Sequence, residues 1–360
     1  TDARRTSVRA QQFLWIRRSE CGPGSAEVDV SDVAIGGIGA VSPAGWGVKA
    51  LREAIVKGQP CPVQSLARPG SEKPLHARQV PAPAERPACF QHPRLRRSSA
   101  ITRFAVSAAL EALGKDDVTR LGIITCVMSG CVNYSRRFYH EVLDNPASAS
   151  PLLFPETVFN APGSHLGSVL GNISLNYTLV GDPGAFLQGL ALGATWVATA
   201  RVDGCLVVGA EEADWVTAES FRMFDKGFLL AEGAGAIYLR KARQASEVAL
   251  ECVTDSHIYS SRQSRGQAVK AMRAQTAGGE LLVDGTQGLG RHDRPELEAW
   301  SDWTGDRISP KRVLGEGLMA ASPWQCVAAI DALQQGRYAS ALVSVVGCNQ
   351  QAIGAQFIRQ

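Results

Sequence analysis

The stretch Val180-Gly181-Asp182-Pro183-Gly184-Ala185-Phe186-Leu187-Gln188-Gly189 constrains the fold most, because it closes an apolar strand and opens a long helix within one sharp turn. Asp182 is placed to cap that helix, its carboxylate taking free amide hydrogens of the first turn, and Pro183 fits the first helical position, where a missing N–H costs nothing. Leu187, Leu190, Ala191, Ala194 and Val197 recur on one face, so the helix packs against a core. Residues 200–204 close it, and Cys205-Leu206-Val207-Val208-Gly209-Ala210 reads as the next buried strand. A strand, a turn and a buried helix present a nucleophile at a positively polarised helix start, where a thiolate is favoured. Here the tip residue is Pro183, whose side chain has no nucleophile.

A chain of 360 residues, 45% of them hydrophobic, can bury a large core as one domain or two packed halves. Its net charge of +3 is too small to argue for nucleic acid or a membrane surface. No stretch approaches the roughly 18 apolar residues of a spanning helix, so membrane insertion is not expected. Residues 1–32 carry arginines and the run Phe13-Leu14-Trp15-Ile16, too short and too charged for a secretory signal, and read as an extension outside the fold. The nine cysteines are odd in number, lack any CxxC and fall partly in apolar strands. They read as buried thiols in a reducing cytoplasm, with neither metal nor cofactor implied.

Along the chain, Val33 to Gly45 is a strand running into a glycine-rich turn, with a helix from about Trp46 to Lys57. Its G-G-x-G lacks an acidic residue about 20 positions later, which favours tight backbone packing over a phosphate cradle. Pro60 to Pro93 reads as a long surface connection, followed by Arg94, Arg96, Arg97 and Arg103, a solvated face or a dock for an acidic partner. Ile101, Phe104, Ala105, Ala108 and Ala112 mark a helix, and Leu121 to Ser129 a buried strand. Asn160 to Leu166 enters a helix, and His165 reads as a hydrogen-bonded core histidine. Phe228 to Leu239 turns back into a strand, Val248 to Thr254 is a strand and Gln263 to Gln275 a helix. Leu281 to Val283 is a strand, Pro295 to Trp303 and Ala320 to Gln335 are helical, and Ala341 to Val346 is the last strand. Strands alternating with helices predict an α/β fold of mixed sheets covered on both faces.

From Val33 onward the chain resembles the β-ketoacyl synthases of the thiolase-like superfamily. The matching residues are Ile38 to Gly45, the helix after Asp182, Val208-Gly209-Ala210-Glu211-Glu212, Phe224-Asp225-Lys226 with Gly227 to Gly235, and Asp284-Gly285-Thr286. The resemblance implies a five-layered α-β-α-β-α fold made of two related halves, residues 33–245 and 246–360. It also implies a cysteine at the helix tip, acylated by an acyl carrier protein substrate, and two histidines assisting decarboxylation and condensation. Those three positions fall on Pro183, Asp284 and Glu316, while Lys311 matches the family's lysine. The expected glutamate is Gln325, and Cys348 replaces the gating phenylalanine of the G-F-G-G loop.

Two functional readings follow. In the first, the chain resembles a chain length factor: a noncatalytic subunit that pairs with an active β-ketoacyl synthase, meets an acyl carrier protein, and limits product length in type II polyketide or aryl-polyene systems. Phe186, Trp196 and Trp215 are then candidates for bulk along the acyl tunnel, with Cys348 beside them. In the second, Asp182, Asp284 and Glu316 converge, with Lys311, as acid and base acting on an acyl thioester without a cysteine. Against that chemistry, a carboxylate at 284 or 316 repels an enolate and donates no hydrogen bond unless protonated.

Overall fold

The computed structural model describes residues 32–244, 247–348 and 350–360. Residues 1–31 of the expected extension and the expected division at 245/246 lie outside the described residues.

Ten strands carry the architecture, and their arrangement is used twice. The first five are β1 (Val33–Ser42), β2 (Leu121–Val127), β3 (Ile173–Val180), β4 (Gly204–Glu211) and β5 (Gly233–Lys241). They lie in the order β3-β2-β4-β5-β1, with β3, β2 and β4 parallel and β5 antiparallel to both its neighbours. The next five are β6 (Val248–Val253), β7 (Leu281–Val283), β8 (Asp306–Ile308), β9 (Ser340–Val346) and β10 (Gln351–Arg359). Their order, β8-β7-β9-β10-β6, and their relative directions repeat the first set. The sets meet where Ala34 of β1 stands opposite Ala249 of β6.

The helices are α1 (Val48–Lys57), α2 (Ala100–Leu113), α3 (Val132–Asp144), α4 (Ala161–Leu170), α5 (Ala185–Ala198), α6 (Trp215–Phe224), α7 (Arg262–Arg273), α8 (Gly290–Ala299), α9 (Pro310–Leu314) and α10 (Ala321–Gln334). On the outside of the first sheet lie α2 and α4, and on the outside of the second α7 and α8. Between the sheets run α5 and α10, each touching both. The result is the five-layered α-β-α-β-α arrangement of two related halves. Sheets covered on both faces have no solvent side, and every residue of β2 and β4 is buried.

Burial on both sides also changes α5. The expected apolar stripe is there, but Ala185, Phe186, Gly193 and Trp196, off that stripe, are buried too, so the helix is apolar nearly all round. In α10 every residue from Ala321 to Leu333 is buried. Fully burying one such leucine stabilises the fold by about 1.5–3 kcal/mol relative to leaving it exposed. The polar exceptions in α10 find partners across the fold: Asp331 takes both Nε and Nη2 of Arg52, at 2.7 and 2.6 Å, and Gln325 Nε2 donates to the Ser344 carbonyl at 2.8 Å, though Gln325 Oε1 has no partner among the described residues.

Several sequence expectations are corrected. Ala341–Val346 is not the last strand, because β10 returns antiparallel beside β9 and pairs on its other edge with β6. Gln351 and Gln356, with Gly354 between them, interrupt the apolar run that would have announced it. Helix α1 starts at Val48, since Gly45 and Trp46 fold back on β1 as a short strand. Helix α8 runs from Gly290 and carries Pro295 within it, rather than starting there. The proline-rich connection does more than cover the surface: Leu75–Arg78 pairs in parallel with Leu230–Ala231 and buries Arg78.

The glycine-rich turn after β1 packs backbone on backbone, as expected. A Cβ on Gly39 would lie 1.9 Å from the Ala108 carbonyl oxygen of α2. The amides a phosphate would need are already bound, with Glu111 accepting from Ala40 N–H and Val48 N–H, both at 2.9 Å.

Gly39→Ala should therefore lower unfolding stability by about 1–3 kcal/mol, as overpacking does. In contrast, Gly266→Ala in the interior of α7, where an added Cβ meets nothing within 4 Å, should raise it by about 0.5–1 kcal/mol. Denaturant titration of the two variants checks both signs.

Candidate functional site

Helix α5 starts later than the sequence suggests, and Asp182 does not cap it. Gly184 occupies the cap position without a side-chain bond, while the first turn tightens through Ala185 N–H to Asp182 O and Phe186 N–H to Pro183 O. The Asp182 carboxylate instead crosses to the hairpin between β9 and β10, accepting from Cys348 N–H at 3.1 Å and Gln351 N–H at 3.3 Å. Two buried amides there outcompete a helix turn that can close on its own carbonyls. The carboxylate lies so close to Gly347 that a Cβ there would fall 1.5 Å from Oδ2, so this position tolerates no side chain.

Burial pushes Asp182 up to about 6, against the pull of the Gln351 amide, Lys311 and the Cys348 amide, with Glu316 adding to the rise. Pro183 is buried at the tip, and its carbonyl accepts from Ser322 Oγ of α10 at 2.7 Å.

Glu316 follows α9 and is locked in place by three donors. Oε2 accepts from Lys311 Nζ at 2.7 Å and from Gln287 Nε2 at 2.8 Å, and Oε1 from Leu318 N–H at 2.9 Å. Lys311 and Glu316 are 3% and 1% exposed, so the pair is fully internal. Burial alone would lower the lysine, yet Glu316, Cys348 and Glu296 together hold it above its ordinary value. Leu318 has φ of +49°, a left-handed conformation rare for a leucine, and its amide is the one Glu316 holds.

Asp284 follows β7 directly and opens the next turn. Its Oδ1 accepts from Thr286 N–H at 2.8 Å and Ser309 Oγ at 2.9 Å, and its Oδ2 pairs with Arg307 Nε of β8. The expected convergence of Asp182, Asp284 and Glu316 is met only in part: Asp182, Lys311, Glu316 and Cys348 share one electrostatic neighbourhood, while Asp284 gives its oxygens to Arg307, Ser309 and Thr286 and adjoins that group through buried Glu296, on which both Asp284 and Lys311 act. Cys348, where the resemblance implies a gating phenylalanine, has its thiol pushed well above the ordinary value by burial, then by Glu316 and Asp182, so it stays protonated at neutral pH.

The bulk candidates separate into two places. Phe186 and Trp196 belong to the core between the sheets, and Trp196 meets Tyr177 of β3 edge to face at 5.1 Å. Trp215 and Cys348 pack on a second apolar cluster that includes Leu230 and Leu318. His165 bonds Glu156 at 2.7 Å, and Cys205 and Cys131 are buried. Burial pushes the Cys131 thiol up to about 12. Among the described residues no group of three or more His, Cys, Asp or Glu side chains is placed to hold a metal.

Sequence reasoning missed a set of buried acids that fasten loops to the end of β4. Glu211 accepts from Met128 and Ser129, Glu212 from Ile101 and Asn133, and Glu232 from Val80 and Ala213, all backbone N–H groups. Desolvation lifts Glu211 to about 8 and Glu212 to about 7. Two adjacent acids ending a fully apolar strand were the signal, since such groups are interior only when bonded.

No protein-family model matches this chain, and no curated protein matches it by sequence. Solved structures do. The ishigamide ketosynthase/chain length factor is 20% identical with a TM-score of 0.75, over 91% of this chain and 99% of that one. A β-ketoacyl synthase from Burkholderia phymatum is 15% identical with a TM-score of 0.75, over 91% and 99%. A ketosynthase in complex with its chain length factor from Xenorhabdus doucetiae is 15% identical with a TM-score of 0.71, over 91% and 98%. The fold is therefore the thiolase-like fold of these ketosynthase structures.

Lys311→Met leaves Glu316 buried without its cation and should cost about 3–5 kcal/mol, most of it recovered in Lys311→Met/Glu316→Leu, as measured by denaturant unfolding. The raised acids set a pH dependence. Between the ordinary carboxylate range and about 6 for Asp182, about 7 for Glu212 and about 8 for Glu211, the folded chain binds protons that the unfolded chain releases. Their contribution is full at low pH and lost as pH rises through those values. Unfolding midpoints should fall from about pH 4 to 8, and Asp182→Asn should flatten the part of that fall below about pH 6.

Proposed function

We propose that this chain is a noncatalytic, cytoplasmic ketosynthase-like subunit, a chain length factor, that pairs with an active β-ketoacyl synthase. In this reading it meets that enzyme's acyl carrier protein and shapes the acyl tunnel in polyketide or fatty-acid-like synthesis, with aryl polyenes one such product class. One observation carries the reading: Pro183 stands at the helix tip where an attacking sulfur would be, its carbonyl bound by Ser322. Covalent acyl transfer needs a nucleophile there. The two positions that the resemblance gives to histidines add support, because the oxygens of Asp284 and Glu316 are taken up by Arg307, Ser309, Thr286, Lys311, Gln287 and Leu318. The Cys348 thiol is held protonated by burial first, and then by Glu316 and Asp182.

A partner is supported by the sheet edge. β3 ends the sheet, and its outer row of N–H and C=O groups is a template for another chain. Tyr177 and Val180 on it are 48% and 53% exposed, and Tyr139, Leu143, Leu152, Phe154, Val158 and Phe159 in the preceding segment are exposed as well. An apolar surface of this extent on a folded chain fits a permanent subunit contact.

Purified with a cysteine-containing ketosynthase and incubated with acyl-loaded carrier protein, the chain should show no acyl adduct by mass spectrometry, while its partner does. Tyr177→Asp/Val180→Asp should weaken the heterodimer by about tenfold or more in sedimentation measurements. An adduct on Cys348, or acyl-thioester turnover by this chain alone that Glu316→Gln abolishes, would overturn the reading.

A further inference from the structure

A cavity of about 470 Å³, whose lining includes neither Lys311 nor Glu316, is walled by α1, β8, α9 and α10. Its volume is in the range of small-molecule sites. Apolar side chains form part of its lining, among them Leu51, Ile55, Val313 and Val327. Four arginines line it as well: Arg52, Arg307, Arg312 and Arg337, against two acids, Asp306 and Asp331.

The arginines are not equally occupied. Arg52 is held by Asp331 through both oxygens, and Asp306 is engaged by Tyr338 Oη at 2.6 Å. Arg307 gives Nε to Asp284, but its buried Nη2 has no hydrogen-bond partner among the described residues. Arg312 and Arg337 are exposed and make no ion pair among the described residues. Arg337 lies 5.9 Å from the centre of the Tyr338 ring, within cation–π distance. A buried guanidinium N–H group without an acceptor is costly unless something supplies one. Two further guanidinium groups beside it raise the local positive charge, and guanidinium forks match carboxylate and phosphate oxygens bidentately. The apolar side chains in the same lining offer nothing to a hydrated ion, but they can cover a hydrocarbon body.

We propose that this cavity binds an amphiphilic oxyanion, a carboxylate or phosphate monoester head group on a hydrocarbon body. Arg307, Arg312 and Arg337 take the head group, and the α1 and α10 side chains cover the chain. Nothing in this assignment depends on whether the subunit is catalytic.

The test is titration calorimetry of the full chain with decanoate, decyl phosphate, inorganic phosphate and decanol. Decanoate or decyl phosphate should bind about tenfold or more tightly than either inorganic phosphate or decanol, and whichever of the two binds better identifies the head group. Arg312→Gln/Arg337→Gln should reduce that affinity by about tenfold. Ile55→Trp, which fills the cavity from α1, should abolish binding while circular dichroism shows the fold intact. Decanol binding as tightly as the anions, inorganic phosphate binding as tightly as decyl phosphate, unchanged affinity in the double arginine variant, or no heat from any ligand would each overturn the assignment.

Discussion

A lysine that is 3% exposed and a glutamate that is 1% exposed can occupy a protein interior only as a pair with every remaining hydrogen bond satisfied. The carboxylate of the pair meets that condition, accepting from Lys311, Gln287 and Leu318, and much of the surrounding site follows from it. Glu316 needs further donors, so Gln287 reaches across from the turn after β7 and Leu318 adopts a left-handed backbone to offer its amide. Lys311 in turn stabilises charge on Asp182. The turn at the start of α5 and the hairpin before β10 are joined through that aspartate.

The same economy holds at each position where the resemblance implies reactive groups. A proline carbonyl takes a serine hydroxyl, one carboxylate takes an arginine, and another takes a lysine. The groups at these positions are engaged by neighbours within the chain, as the proposed noncatalytic role requires. A doubled five-strand plan with two central helices leaves room for this. The central layer is fixed by apolar burial on both sides, so its polar positions can change roles without disturbing the sheets.

The layers were readable because strand and helix periodicities are local. Buried strands such as Cys205 to Ala210 announce themselves, and glycine packing after β1 follows from the absence of an acidic partner downstream. Where the sequence misled, a long-range contact had overridden a local preference. Asp182 looks like a cap in its own neighbourhood, yet it bonds the amide of Gln351, 169 residues away. Strand β10 was hidden by its glutamines, whose burial is permitted by partners across the fold: Ser256 donates to the Gln351 side-chain oxygen, and Gln356 Nε2 reaches the Gly278 carbonyl at 3.5 Å.

By itself, then, the sequence determined the alternation of strands and helices and the proline in the turn before α5, because both are properties of adjacent residues. The tertiary structure alone decided where each buried carboxylate spends its oxygens. Desolvation makes an unpaired charge intolerable, and the donor that relieves it is chosen by which distant backbone the sheets bring within reach.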